Sequence, residues 1–566
     1  MKPVAIACLS IFALSAVAAC SGGGSVPSTP SSLAGKMAPA PDRLKHRKGR
    51  ARIRIRIPHK KKHGRHGRYI SPSTKSIAIG VNGTTVVANL TPNAPNCVEH
   101  NPTYTQCVVT VTAPLGTVNF SFTTFDAVNA GGNKLSANNV TFDVVSGSTT
   151  PLAVTLGGIA TSISITPTTA VPQITGSQAA GYTLYGRLAQ SFTVVPMDAD
   201  DNAIIGPGAP AISMTPPPVA QKLGLATPAP ATPNEWKLIS SYVATNPLTP
   251  VNATVAAVAT PVPGSGGSTI SAEVAIAQYE PWIFVTDYGD QTLYVFDEQG
   301  NEIDLGSNAW AGIPSPEGIS FDSHNNHLYM AGTGDNTVYE TDVIGNLVSP
   351  SPGAWSNVEG PTTALYVPTN NHVYVPQSYA SAPPTGVVAF DETGATQSLS
   401  GSMSNQYGAG LAFDTHNGFI YLAAGSIYAG GARHRAPRGV MPISVVLAYD
   451  VNGNPQTLSG NFNGLTEADA LGYDEQNGFL YVANDSNSSI TVYDEQGNAQ
   501  STTGSFPGLT APTGITYDPY DGLIYVADFG SEGGGTGVYA FDEQGNPQSV
   551  TFGEAFSAAY GITVVP

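Results

Sequence analysis

Ile283-Phe284-Val285-Thr286-Asp287, followed by Leu293-Tyr294-Val295-Phe296-Asp297-Glu298-Gln299-Gly300-Asn301, is one unit of a pattern that the chain repeats six times. The last copy reads Ile524-Tyr525-Val526-Ala527-Asp528, then Val538-Tyr539-Ala540-Phe541-Asp542-Glu543-Gln544-Gly545-Asn546. Each copy has an apolar strand bearing an aromatic, a turn, a second strand ending in Asp, and another turn. The aligned aromatics are Phe284, Tyr329, Tyr374, Tyr421, Tyr481 and Tyr525, spaced by 45, 45, 47, 60 and 44 residues. The closing acid recurs as Asp297, Asp342, Asp391, Asp450, Asp494 and Asp542. Strand-and-turn units at that period predict one four-stranded blade each, and so a six-bladed β-propeller over 281–566.

Every later blade is preceded by a strand such as Gly318-Ile319-Ser320-Phe321-Asp322 or Gly514-Ile515-Thr516-Tyr517-Asp518, which the first blade lacks. Gly561-Ile562-Thr563-Val564-Val565 has that strand's sequence and nothing after it. It is expected to complete blade one and so remove an exposed sheet edge. The unit Pro512-Thr513-Gly514-Ile515, Ile524 to Asp528, Val538 to Asp542 and Gly545 resembles an NHL repeat. The resemblance covers about half the chain. It weakens in blade three, where Val367 replaces the strand-ending Asp, and in blade four, where an insertion carries Arg433, Arg435 and Arg438.

Aligned positions converge on one end of the central channel, where propellers generally bind ligands. After the aromatic strands these are Asp287, Gly332, Gln377, Ala424, Asn484 and Asp528; before the preceding strands they are Glu317, Thr362, Ala409, Asp469, Thr513 and Tyr560. Asp287, Glu317, Asp469, Asn484 and Asp528 form an oxygen-rich set that suits a hard divalent cation such as calcium. The arrangement is similar, in general form only, to that of gluconolactonase-like propellers, which implies a metal polarising a lactone carbonyl. The competing expectation is that an Asp in this place fastens the neighbouring turn through backbone amides. His324 and His416 fall in Asp-Ser/Thr-His-Asn turns and are expected at the surface. No nucleophile elbow, zincin, phosphate-loop or dinucleotide motif occurs, so catalytic residues are not assigned.

Upstream, alternating runs separated by Gly, Asn-Gly and Pro turns predict two β-sandwich modules, 71–160 and 161–280, with a Pro-rich loop over 207–233 in the second. Their spacing resembles that of bacterial immunoglobulin-like domains, which serve as spacers. Asp198, Asp200 and Asp201 are expected to make an acidic hairpin turn rather than a calcium loop, because the twelve-residue calcium-loop spacing is absent. The chain as a whole reads as all-β: 62 Gly and 45 Pro punctuate short apolar runs, and only 11% of residues are charged.

The net charge of −17 conceals a polarity, since 43–68 holds 13 of the 23 Lys and Arg while 39 of the 40 acidic residues lie beyond it. Residues 1–20 read as a secretory signal whose Val17-Ala18-Ala19-Cys20 resembles a bacterial lipobox, which implies acylation of Cys20. Residues 21–70 are then expected to be a disordered tether carrying the basic block near an outer membrane. Within it Arg50, Arg52, Arg54 and Arg56 alternate with Ala51, Ile53, Ile55 and Ile57, and Lys60, Lys61 and Lys62 follow. The block is expected to bind an anionic envelope polymer or lipid headgroup; nucleic acid is not expected in that compartment. Cys97 and Cys107, the only cysteines left once Cys8 and Cys20 are accounted for, are expected to pair in an oxidising space. These readings combine in a non-catalytic envelope lipoprotein that presents its propeller to a protein, glycan or small ligand. A metal-dependent lactone or ester hydrolase is the alternative.

Overall fold

A computed structural model of the chain describes residues 48–59 and 70–566, except 101–102, 170–172, 219–222, 227, 229–231, 233, 242–243, 307–309, 311, 349–353, 356–357, 378–385, 407, 425–443, 531–534 and 554–555. Cys20, Lys60, Lys61, Lys62 and the Arg433, Arg435 and Arg438 insertion lie outside the described residues. The fold is all-β: among the described residues only two short 3-10 turns interrupt the strands.

The first sandwich corrects the expected tether. Lys48–Pro58 is not a leash but an eleven-residue strand lying between Tyr104–Pro114, antiparallel, and Thr149–Leu152, parallel. The period-two pattern decides this. Ala51, Ile53, Ile55 and Ile57 all point into the core with Val109, Val111, Phe120 and Phe122, while Arg50, Arg52, Arg54 and Arg56 stand exposed on the other face. The module therefore includes Lys48–Pro58, upstream of the expected boundary at 71. Its second sheet runs in the order Thr84–Asn89, Ser76–Val81, Gly116–Phe125, Lys134–Val144, Gly157–Gly158. Cys97 and Cys107 face each other across an antiparallel pair and are joined by a disulfide.

The second sandwich packs a four-stranded sheet on a five-stranded one around Phe192, Leu184, Val255 and Ile276. The segment expected as a Pro-rich loop carries two edge strands, Ala211–Thr215 and Leu223–Ala226, because their alternating apolar residues still cover the core. Asp198 heads a tight turn in which its Oδ1 accepts the amides of Asp200 and Asn202 at 3.0 and 2.9 Å. Asn202 in turn donates to Ser71 and Ser73, stitching this turn to the first module.

Six sheets follow. The C-terminal strand Ala559–Val565 pairs antiparallel with Trp282–Asp287, matching Trp282 with Val565 and Phe284 with Thr563, so the two ends of the repeat array share one sheet. The first strands of successive blades lie side by side at the centre, and they approach closely. A Cβ on Gly514 would sit 2.3 Å from the Tyr560 carbonyl, and one on Gly561 2.4 Å from that of Glu317, so only glycine fits there. The aromatics Phe284, Tyr329, Tyr374, Tyr421, Tyr481 and Tyr525 are completely buried. Among the described residues, blades two and three have four strands and the others three, and the return segment makes single bridges such as Tyr449 with Pro455 and Phe541 with Pro547. A proline has no amide to extend those two ladders.

The burial pattern on Lys48–Pro58 yields a direct test. In urea denaturation of the chain, Ile55→Ala is expected to cost the first module about 2–5 kcal/mol, the range for a buried aliphatic truncation. Arg54→Ala, on the solvent face, should cost under about 0.5 kcal/mol. Equal effects would return this segment to the role of a leash.

Candidate functional site at the mouth of the propeller

Antiparallel pairing fixes which residues meet on each face of the ring. First strands begin where second strands end, so Pro512 lies opposite Asp528, Ala468 opposite Asn484 and Ala559 opposite Asp287. This is the upper face. Register shifts interrupt the start of five of the six first strands: between Pro316 and Ile319, Gly408 and Leu411, Ala468 and Ala470, Pro512 and Gly514, and across the Ala559–Ile562 pairing. Glu317, Ala409, Asp469, Thr513 and Tyr560 sit in these bulges, a device that re-aims a side chain at a strand end. All are at least nine-tenths buried. Thr513 and Thr362 use their hydroxyls to reach carbonyls of the next blade's first strand, Ala559 and Gly408.

Asp287, Asn484 and Asp528 are fully buried at the ends of their second strands, where they hold the segment leading into the adjacent first strand. Asp528 accepts the amides of Thr510, Ala511 and Gly530 and the Thr510 hydroxyl. Asp287 accepts the amides of Asp290 at 2.9 Å, Ser557 at 2.8 Å and Ala558 at 3.1 Å. Asn484 accepts from Thr466 at 2.9 Å, and Gln377 does the same for Glu359 at 2.7 Å. In blade two, where Gly332 has no side chain to offer, backbone bonds from Thr333 and Gly334 to Ser315 and Pro314 replace the latch. The oxygens that a cation would use on Asp287 and Asp528 are thus already engaged by amides. Among the described residues, the groups of three acids or histidines with ligand atoms within 4.8 Å of one another are Asp414, His416 and Glu495, and Glu298, Asp518 and Asp521. Neither group includes a member of the predicted set.

The sequence reading passed over two aromatics on this face. Tyr288 and Phe529 directly follow Asp287 and Asp528 and stand with Tyr560 in a trio, with ring centroids 6.1 Å apart for Tyr288–Phe529 and 6.2 Å for each with Tyr560. Tyr288 and Phe529 are half-buried. Their signal in the sequence is an aromatic one position past the strand-ending Asp in blades one and six. His324 and His416 lie at the surface as expected, each 2.7–2.8 Å from a glutamate of the next blade, Glu392 and Glu495.

No family model matches this chain, and no curated protein is similar to it. Among solved structures it is similar to a chain of a nidogen/laminin complex, at 11% identity over 50% of this chain and 98% of that one, with a TM-score of 0.39. A proposed 6-phosphogluconolactonase from Bacteroides uniformis is 14% identical over 48% and 80%, with a TM-score of 0.32. An auxiliary nutrient binding protein from Bacteroides thetaiotaomicron is 13% identical over 68% and 84%, with a TM-score of 0.30.

Removing the latch should therefore cost stability before it costs anything else. Asp528→Ala strands three backbone amides, and a loss of about 3 kcal/mol is expected in chemical denaturation, the scale of bonds to a buried charged acceptor. Mass spectrometry of the purified chain should find no divalent ion that disappears in Asp287→Ala/Asp528→Ala. An ion lost with unchanged stability would make the two aspartates ligands.

Proposed function

We propose that this is an exported bacterial envelope lipoprotein that binds a polar ligand without transforming it, using the upper face of its propeller as the receptor. The observation that carries the reading is the aromatic trio Tyr288, Phe529 and Tyr560 beside the central channel. Aromatic rings with a polar tip cover the apolar face of a ligand and still reach its hydroxyls. That chemistry suits a glycan, whose sugar rings carry a C–H face and a rim of hydroxyls. Glu317 and Asp469 are buried carboxyls at the starts of the first strands of blades two and five, on the same face as the trio. The latching of Asp287 and Asp528 by amides favours binding over metal-assisted hydrolysis. A lipid on Cys20 would hold the chain to the outer membrane.

The arginine stripe belongs to the attachment. Alternate residues of a strand are about 6.8 Å apart, so Arg50 to Arg56 line up about 20 Å of positive charge on a folded sheet. Arg56 also lies over the Tyr104 ring, 5.1 Å from its centroid. A fixed row of cations suits an anionic polymer or headgroup layer better than a coil does, since it is already ordered before binding.

Two measurements check these readings. On a glycan array followed by calorimetry, a bound glycan should lose at least about tenfold affinity in Tyr288→Ala and in Phe529→Ala, about 1.4 kcal/mol, while lactones and esters are not turned over. Turnover abolished by Glu317→Gln or Asp469→Asn would establish the hydrolase instead. For the stripe, Arg52→Glu/Arg54→Glu should leave folding intact and cut retention on anionic vesicles by more than about tenfold at low salt. Unchanged retention would remove the stripe from the attachment.

A further inference from the structure

The lower face of the ring repeats one polar junction. The first strand ends in a buried Asp in blades two, four and five (Asp322, Asp414 and Asp474) and in Val367 in blade three; in all four the residue three positions on is Asn, and the next blade offers the residue after its own closing Asp. Asn325, Asn370, Asn417 and Asn477 each donate their side-chain amide to the buried tyrosine of their blade, Tyr329, Tyr374, Tyr421 and Tyr481. Blade six breaks the rule. Asp521 stands where the others have Asn, and accepts from Tyr525 at 2.6 Å instead of donating. It does so where two further acids converge: Asp518, fully buried, and Glu298 of blade one, 5% exposed. The three carboxylates have ligand atoms within 4.8 Å of one another.

Two oxygens in this cluster have no hydrogen-bond partner. Asp518 Oδ2 and Glu298 Oε1 are buried and unsatisfied, although Asp518 Oδ1 accepts the Tyr520 amide and Glu298 Oε2 the Arg187 amide. Among the described residues no ion pair reaches Glu298, Asp518 or Asp521. The nearby Arg187 guanidinium is engaged by Glu280, Asp297 and Gln299. Burial first, then the neighbouring acids, push the carboxyls of Glu298 and Asp518 up, and burial does the same for Asp521. Carboxylates buried this close together, with two oxygens unpartnered, are held by a proton or by a cation between them. The second sandwich docks on the same junction, through Tyr185 tilted against Tyr520 with ring centroids 4.6 Å apart and the Gln173 amide bonded to the Pro519 carbonyl.

We propose that Glu298, Asp518 and Asp521 bind a hard divalent cation, calcium in the first place, that fastens the last blade to the first beneath the docked sandwich. An all-carboxylate set suits calcium, which accepts irregular oxygen coordination, better than zinc or copper. The site is on the face opposite the aromatic trio, so it stands or falls separately from the glycan reading.

The test is thermal unfolding of the full secreted chain, stripped with chelator and then given calcium chloride or magnesium chloride. Calcium at about 100-fold excess over its Kd should raise Tm by roughly 5 °C, and more than magnesium does. Asp521→Asn restores the residue of the other blades, so it should fold with an undiminished metal-free Tm and lose the calcium increment; Glu298→Gln should lose it too. Calorimetry should count about one calcium per chain in the parent and none in either variant. An absent increment in the parent, or an equal increment in Asp521→Asn, overturns the proposal.

Discussion

The pairing of Ala559–Val565 with Trp282–Asp287 is the contact on which the propeller depends. A linear array of six small antiparallel sheets would leave a first strand without its inner neighbour and a last strand with none to pair, two open edges in one module. Sharing blade one between the chain's two ends removes both. It also forces the first strands together at the centre. That is why Gly514 and Gly561 stand where any side chain would strike a carbonyl. Because the seam between blades six and one is made from residues some 270 positions apart, it is the costliest part of the ring to close in chain entropy. Several features concentrate there: the Asp287 latch on Ser557 and Ala558, the aromatic trio, and the acids beneath.

Aspartate does two different kinds of fastening in this chain. At the third-strand ends, Asp297 and Asp542 accept the amides of the turn they begin, and Asn301 and Asn546 return a side-chain bond. At the second-strand ends, Asp287 and Asp528 reach instead to another segment. Both uses explain how 39 acids are accommodated beside only 8 Lys and Arg over residues 69–566. The carboxylates are satisfied by backbone dipoles, a neutral partner that the repeat supplies at each turn.

The period of the aromatic strands made the ring legible from residues alone, down to the use of the C-terminal strand. The same alternation misled at the N-terminus. Arg50 to Ile57 reads equally as an extended coil with two chemically distinct sides and as a sheet strand, and the partner that decides between them, Tyr104–Pro114, lies about fifty residues away. What discriminates is burial of the isoleucines, a tertiary fact. The latch role of Asp287 was legible as a possibility and needed the positions of Ser557 and Ala558 to be fixed. Asp521 was visible in the alignment as a departure from Asn325, Asn370, Asn417 and Asn477. Its meaning depended on knowing that those amides donate to a tyrosine, which no alignment of letters conveys.

The two faces of the ring are consequently unequal. Below, Tyr185, Gly186 and Arg187 of the second sandwich cover the turns that begin at Asp297 and Asp518, so that face is committed to holding the modules together. Above, Tyr288, Phe529 and Tyr560 pack against one another at the ends of the second strands of blades one and six. Carboxylates are buried on both faces, Asp287 and Asp528 above and Glu298 and Asp518 below, and the lower pair sits where the second sandwich docks. The unpartnered oxygens of Glu298 and Asp518 lie at the seam beneath, where a cation that neutralised them would tighten the joint between blades.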